Sequence, residues 1–110
     1  MLNQVAGQIE RYMDLLSTRQ KLVASNIANA DTPGYQTQDI DFQSEFQSAI
    51  GGPPRVMGVS DLQVKNDGNN VSLDRESRLL AENALRFQVA SQLLRSQIRA
   101  VRSAIQEGKG

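Results

Sequence analysis

At 110 residues the chain supports one modest domain. Twelve Lys and Arg balance twelve Asp and Glu, so neither a nucleic-acid footprint nor an anionic membrane partner is indicated. The absence of Cys and His removes disulfide staples, thiolate chemistry and a conventional nucleophilic triad.

The first segment, about 2–30, places apolar residues seven apart at Leu2, Ile9, Leu16 and Val23, widened to a stripe by Val5, Tyr12, Met13, Leu15, Leu22 and Ile27. Gln8, Glu10, Arg11, Asp14, Arg19 and Lys21 fall largely off that stripe. This spacing predicts an amphipathic helix with coiled-coil character. Met1–Glu10 carries no signal-peptide pattern, and no apolar run reaches the ~20 residues that span a bilayer. Direct membrane insertion is therefore not expected.

The helix should end by about Asp31, because Pro33 fixes its own φ and drives Thr32 out of the α region. Pro33-Gly34 suits the centre of a type II turn, with Gly34 supplying the positive φ. Asn26 and Asn29 are three apart and share a face, beside small residues at Ala24, Ala28 and Ala30 that allow close backbone approach. Asn26, Ile27, Asn29, Asp31, Thr32, Pro33, Gly34 and Tyr35 are accordingly the candidate contact residues of this end. The two amides are expected to satisfy backbone groups of an adjoining subunit, or else to be solvated. Tyr35 is expected most simply to pack its ring back on the helix, although its hydroxyl could reach a neighbour.

The middle loses helical period. Gly51-Gly52-Pro53-Pro54 is its clearest breaker. Phe42, Phe46 and Ile50, four apart, can form a short helix or else fold only against a partner. Val56 to Val64 has weak strand character, and Lys65-Asn66-Asp67-Gly68 offers a tight turn between Val64 and Val71. The reading is a loop with room for a short β-hairpin. Asn66–Asn70 lacks the ligand order and distal glutamate of a calcium loop.

The last segment, about 72–107, repeats Leu73, Leu80, Phe87, Leu94 and Val101 every seven residues, with Ala84, Ser91, Ile98 and Ile105 as a second row. Ser72 or Asp74 can cap its start, Asp74 and Glu76 favour the dipole of its first turn, and Gly108 should stop it. Arg95, Arg99 and Arg102 share a face, to be read as solvated or as an inter-subunit ion pair. As one helix the segment is about 54 Å long, against a diameter of about 34 Å for a compact chain of this size. Such a helix cannot be wrapped by one copy. Two paired helices leave Leu79, Ala90 and Leu93 uncovered, and large apolar strips mark interfaces. The competing fold bends the helix back into a small bundle with the middle.

The fold class is therefore mainly α: two long terminal helices pair as a coiled-coil-like hairpin around an irregular middle, with segments 1–35, 36–71 and 72–110 in one structural domain. The candidate interface continues onto Leu80, Phe87, Leu94, Ile98, Val101 and Ile105. No catalytic residue, metal ligand or cofactor is identified. Asp39, Asp41 and Glu45 lie close in sequence without any sign of burial, so an enzyme is disfavoured.

Four stretches in order carry a resemblance: Asn26–Tyr35, Asp39-Ile40-Asp41-Phe42, Asn69–Glu76, and Glu82-Asn83-Ala84-Leu85-Arg86-Phe87-Gln88. They resemble the flagellar axial proteins, within them the basal-body rod family and its proximal-rod members. The resemblance covers about 1–46 and 66–107. It implies a structural subunit whose terminal helices stack into a helical tube that transmits torque and surrounds an export channel. It also implies partners: further copies, other flagellar rod proteins, and the ring and export-gate adaptor at the rod base. The place implied is the periplasmic rod of the basal body, reached by export without a cleaved signal peptide. The alternative is a cytosolic two-helix adaptor or export chaperone, which would hold a fixed oligomeric size.

Overall fold

A computed structural model of the chain describes residues 2–48 and 51–109. Its elements in order are α1 (Leu2–Ala28), β1 (Gln38–Ile40), α2 (Phe42–Gln47), β2 (Val56–Gly58) and α3 (Leu73–Lys109). Ile50 lies outside the described residues. The molecule measures 70 × 26 × 17 Å, with a radius of gyration of 18.2 Å against about 13 Å for a compact chain of this length. The bent-bundle alternative is excluded, because α3 is a single helix of 37 residues.

The terminal helices pair antiparallel: Asn26 meets Glu76 and Gln20 meets Asn83. On α1, Leu15, Leu16, Val23 and Asn26 are buried, with Leu16 beside Leu80 and Asn83 of α3 and Asn26 bonded to Glu76. On α3 the seam buries Glu76, Asn83 and Ala90, which are seven apart, with half-buried Gln97 next in the series. The predicted row is thus displaced from the seam. Leu73, Leu80 and Phe87 are exposed, while Leu94 and Val101 are half-buried. The reason is geometric. Leu16 of α1 fills the seam, so α3 contributes small or polar side chains there and turns its large apolar ones outward. Of the three flanking residues expected to stay bare, Ala90 is buried and Leu79 half-buried; Leu93 alone is exposed.

Ser72 caps α3, its Oγ accepting from the Arg75 N–H at 3.2 Å. The helix runs through Gly108 to Lys109 rather than stopping at the glycine. The middle does hold a two-stranded antiparallel sheet, but β1 pairs with β2 in the register Gln38–Gly58, Asp39–Met57 and Ile40–Val56. The strands do not flank Lys65–Gly68, where the turn forms as expected (Gly68 N–H to Lys65 O, 2.9 Å). Between the strands α2 is capped by Asp41, and Phe42 and Phe46 meet the Tyr12 ring edge-on at 5.2 and 5.3 Å.

Candidate functional site

The end of α1 sets the first half of the site. Beyond Ala28 the chain tightens, with the Ala30 N–H on Ile27 O and the Thr32 N–H on Asn29 O. The Tyr35 N–H closes the Pro33-Gly34 turn on Thr32 O at 3.2 Å, with Gly34 at φ 76°. A helix end leaves its last carbonyls short of partners, and distant residues add donors to those the local turns supply. Asn69 Nδ2 donates to Asn29 O and Thr32 O, both at 2.8 Å, and Lys65 Nζ donates to Ala30 O at 2.9 Å. Asn69 Oδ1 accepts from the Val71 N–H, and Asn70 Oδ1 from the Thr37 N–H. The 65–70 stretch is therefore the clamp on the end of α1.

Asn26 holds the centre. Its Nδ2 donates to Glu76 Oε1 at 2.7 Å and to Gln38 O at 2.9 Å. Its Oδ1 accepts from the Tyr35 hydroxyl at 2.9 Å and the Gln38 N–H at 3.1 Å. This corrects the expectation that the Asn26 amide is solvated or reaches toward a neighbour: it is spent inside the chain, and Tyr35 turns back on α1 as expected, its hydroxyl on Asn26. Asn29 is likewise engaged locally, donating to Ser25 O and accepting from Thr32 Oγ1. Glu76 lies in the first turn of α3 as expected, where its charge favours the helix dipole, and its side chain is also fully buried.

Charges complete the joint. Arg19 grips Asp39 through Nε and Nη2 at 3.0 and 2.9 Å, and Arg75 reaches Asp39 Oδ2 at 2.6 Å and Glu76 Oε2 at 2.7 Å. Burial pushes the Asp39 carboxyl up, but Arg19, the Ile40 N–H and Arg75 outweigh it and hold it below its ordinary value. Burial also disfavours the Arg75 cation, and Glu76 and Asp39 more than offset that. Asn26, Arg19, Asp39, Arg75 and Glu76 thus tie α1, β1 and α3 into one network. Apart from Arg19, these residues belong to three of the four stretches that carry the family resemblance, and the network brings those three together in space.

The second part of the site is apolar and bare. A groove of about 500 Å³ is lined by Val5, Ile9, Tyr12, Phe46, Leu85, Val89 and Leu93. A second, of about 520 Å³, is lined by Leu16, Ser17, Gln20, Lys21, Leu80, Asn83, Ala84 and Phe87. At 100° per residue Leu80 and Val89 point to opposite sides of α3, so the grooves flank the seam. Farther on, Ile98 and Ile105 are exposed and Val101 half-buried.

The predicted contact residues do not form one patch. Ile27, Asp31, Thr32, Pro33 and Gly34 are exposed at the joint end. Leu80 and Phe87 line the second groove, and Ile98, Val101 and Ile105 lie toward the far end of α3. Among the described residues no group of three or more acidic, His or Cys side chains can hold a metal, and no helix is long and apolar enough to cross a membrane.

An elongated helix pair, locked at one end and bare along both flanks, is the build of an assembly subunit. The family described as Flagella basal body rod protein matches residues 13–36, from the middle of α1 through the Pro33-Gly34 turn. The flagellar basal body rod protein FlgB of Salmonella typhimurium is 35% identical over 87% of this chain and 88% of its own length. FlgB of Yersinia enterocolitica is 34% identical over 98% of this chain and 100% of its own length, and that of Borrelia hermsii 29% over 86% and 90%. The chain belongs to the flagellar basal-body rod proteins, and among them to the FlgB family. It is a structural subunit of the rod, placed in the flagellar basal body and assembling with other rod and basal-body components.

Proposed function

We propose that the subunit builds the rod through its terminal helices, whose uncovered grooves are filled by helices of neighbouring subunits. The observation that carries this is the outward set of Leu80, Leu85, Phe87, Val89 and Leu93, each at least 41% exposed. Burying one such side chain contributes about 1.5–3 kcal/mol, a gain that this chain alone leaves unrealised. Bare flanks on opposite sides of one helix pair favour contacts whose rotation does not close, and such contacts generate a helical filament. The neighbours are further copies, other rod proteins, and the ring and export-gate adaptor at the rod base. The resulting tube transmits torque, surrounds the export channel and lies in the periplasm, its subunits exported without a cleaved signal. Ile27, Asp31, Thr32, Pro33 and Gly34 contribute the contacts of the joint end, while Asn26, Asn29 and Tyr35 contribute by holding that end in shape.

Photo-crosslinkers placed at Phe87 and Leu93 in assembled basal bodies test the reading. Crosslinks from both positions to rod components are expected. A basal body in which neither position touches another chain removes the proposal.

A further inference from the structure

The two edges of the small sheet are finished differently. The Val59 N–H donates to Thr37 O at 3.0 Å, and the register sets Asp39 opposite Met57. Hydrogen-bonded and non-hydrogen-bonded pairs alternate along an antiparallel ladder, so Asp39 and Met57 bond to each other. Gln38 and Ile40 then turn their backbone groups away from β2, and Val56 and Gly58 turn theirs away from β1. The β1 edge is closed. Asn26 Oδ1 accepts from the Gln38 N–H and Asn26 Nδ2 donates to Gln38 O, as a third strand would. Asp39 Oδ1 accepts from the Ile40 N–H. The β2 edge is open: the outward N–H and C=O groups of Val56 and Gly58 find no partner among the described residues, and Val56, Met57 and Gly58 are all exposed.

The open edge has a defined length. Pro53-Pro54 ends it upstream, because proline has no N–H to offer, and Val59 turns its N–H inward to Thr37. Two residues about 7 Å apart each present a donor and an acceptor, a spacing matched by another extended backbone. Arg55 flanks them, exposed and without an ion pair to a described residue. We propose that the outer edge of β2 receives a short extended segment of a different rod or basal-body chain, which adds a third strand and sets a carboxylate beside Arg55. A second copy's β2 does not suit this edge. Arg55–Val59 contains no acid, so two such edges bring cations together with nothing to pair either, and their reciprocal contact closes on itself. The added strand lays side chains over Val56 on one face of the sheet and Met57 on the other. It also steadies a two-stranded sheet that is marginal alone. The contact lies apart from the helical grooves and stands or falls without them.

Amide hydrogen exchange, resolved by residue with mass spectrometry, tests this on the dilute full chain and on purified basal bodies. Val56 and Gly58 should exchange on the order of tenfold more slowly in the basal body, the factor that one net hydrogen bond supports. Met57, already bonded to Asp39, is the internal reference. Gly58→Pro removes the outward N–H and leaves the bonds to β1 intact, and nothing lies within 4 Å of an added Cβ there. It should keep the native urea midpoint yet enter basal bodies on the order of tenfold less. Gly58→Ala, which retains the N–H, should enter as the native chain does. A photo-crosslinker in place of Met57 should mark an extended, acid-bearing segment of a different chain. Unchanged exchange at Val56 and Gly58, full incorporation of a folded Gly58→Pro, or crosslinks only to a helix or to a second copy overturns the proposal. If Gly58→Pro fails to fold, exchange in the native chain decides alone.

Discussion

Asn26 and Glu76 stand fifty residues apart and are joined by a 2.7 Å hydrogen bond closed to solvent. The bond fixes the register of the terminal helices at one end, and every groove position along their length follows from it. Removing Glu76 takes one of two acceptors from the Asn26 amide, which keeps Gln38 O, and leaves one arm of Arg75 without its carboxylate at a buried site. Glu76→Ala should therefore destabilise the chain by about 3 kcal/mol, read from urea denaturation followed by helix signal. Glu76→Gln keeps an acceptor for Asn26 and should lose less. Equal losses from the two variants would mean that the Asn26 bond contributes nothing.

Asp39 gives the joint a pH dependence. Its carboxyl is held lower in the folded chain than in the unfolded one, so its stabilising contribution is fully present above the unfolded value of about 4. That contribution is lost as pH falls through the lower folded value. Stability should accordingly decline below about pH 4, and Asp39→Asn should shrink the decline while lowering stability at neutral pH. A variant with the native acid profile would assign the loss to other carboxylates.

The helices were legible in the sequence because a seven-residue apolar repeat running from Leu73 to Val101 fits the helical period and no strand, and the length of α3 already argued against a compact fold. Which face of α3 meets α1 was not legible. The pattern marks where large apolar side chains sit, whereas the seam is made by Glu76, Asn83 and Ala90, which read as polar or neutral until α1 is laid along them. The joint was half legible. Asn26, Asn69 and Glu76 each stood out within a motif, but a motif gives no partner, and the bonds among them join residues far apart in the chain. β1 was missed, since so short a strand, bounded by Thr37 and Asp41, leaves almost no period to detect.

Gly34 and Gly68 make a second, backbone-only contact inside the joint. Both have positive φ, 76° and 85°, and the Gly34 N–H donates to Asp67 O at 2.9 Å. A Cβ on Gly68 would stand 3.4 Å from the Gly34 Cα. Gly34→Ala and Gly68→Ala should each destabilise by about 1–2 kcal/mol from backbone conformation alone, with Gly68→Val worse because its branched side chain must also enter that contact. Gly58, without positive φ and with nothing within 4 Å of an added Cβ, serves as control: its alanine variant should stay within about 0.5 kcal/mol. Denaturation of the four variants decides, and a Gly58→Ala loss equal to the others would point to general fragility of the middle.

Phe87 and Leu93 separate folding from assembly. They are 42% and 52% exposed on opposite flanks of α3, so the single chain covers only about half of each, against all of Leu16. Phe87→Glu and Leu93→Lys should each destabilise the dilute chain by only about 1 kcal/mol while preventing incorporation into basal bodies and abolishing motility. Leu16→Ala, which empties the buried seam, should behave oppositely and destabilise the dilute chain by about 2–5 kcal/mol. The paired measurements are a urea titration of each purified chain and a swimming assay of cells carrying the same variant. If Phe87→Glu unfolded the dilute chain as Leu16→Ala does, its ring would belong to a private core. If it were stable and fully motile, the furrow it lines would be covered by nothing in the assembled rod.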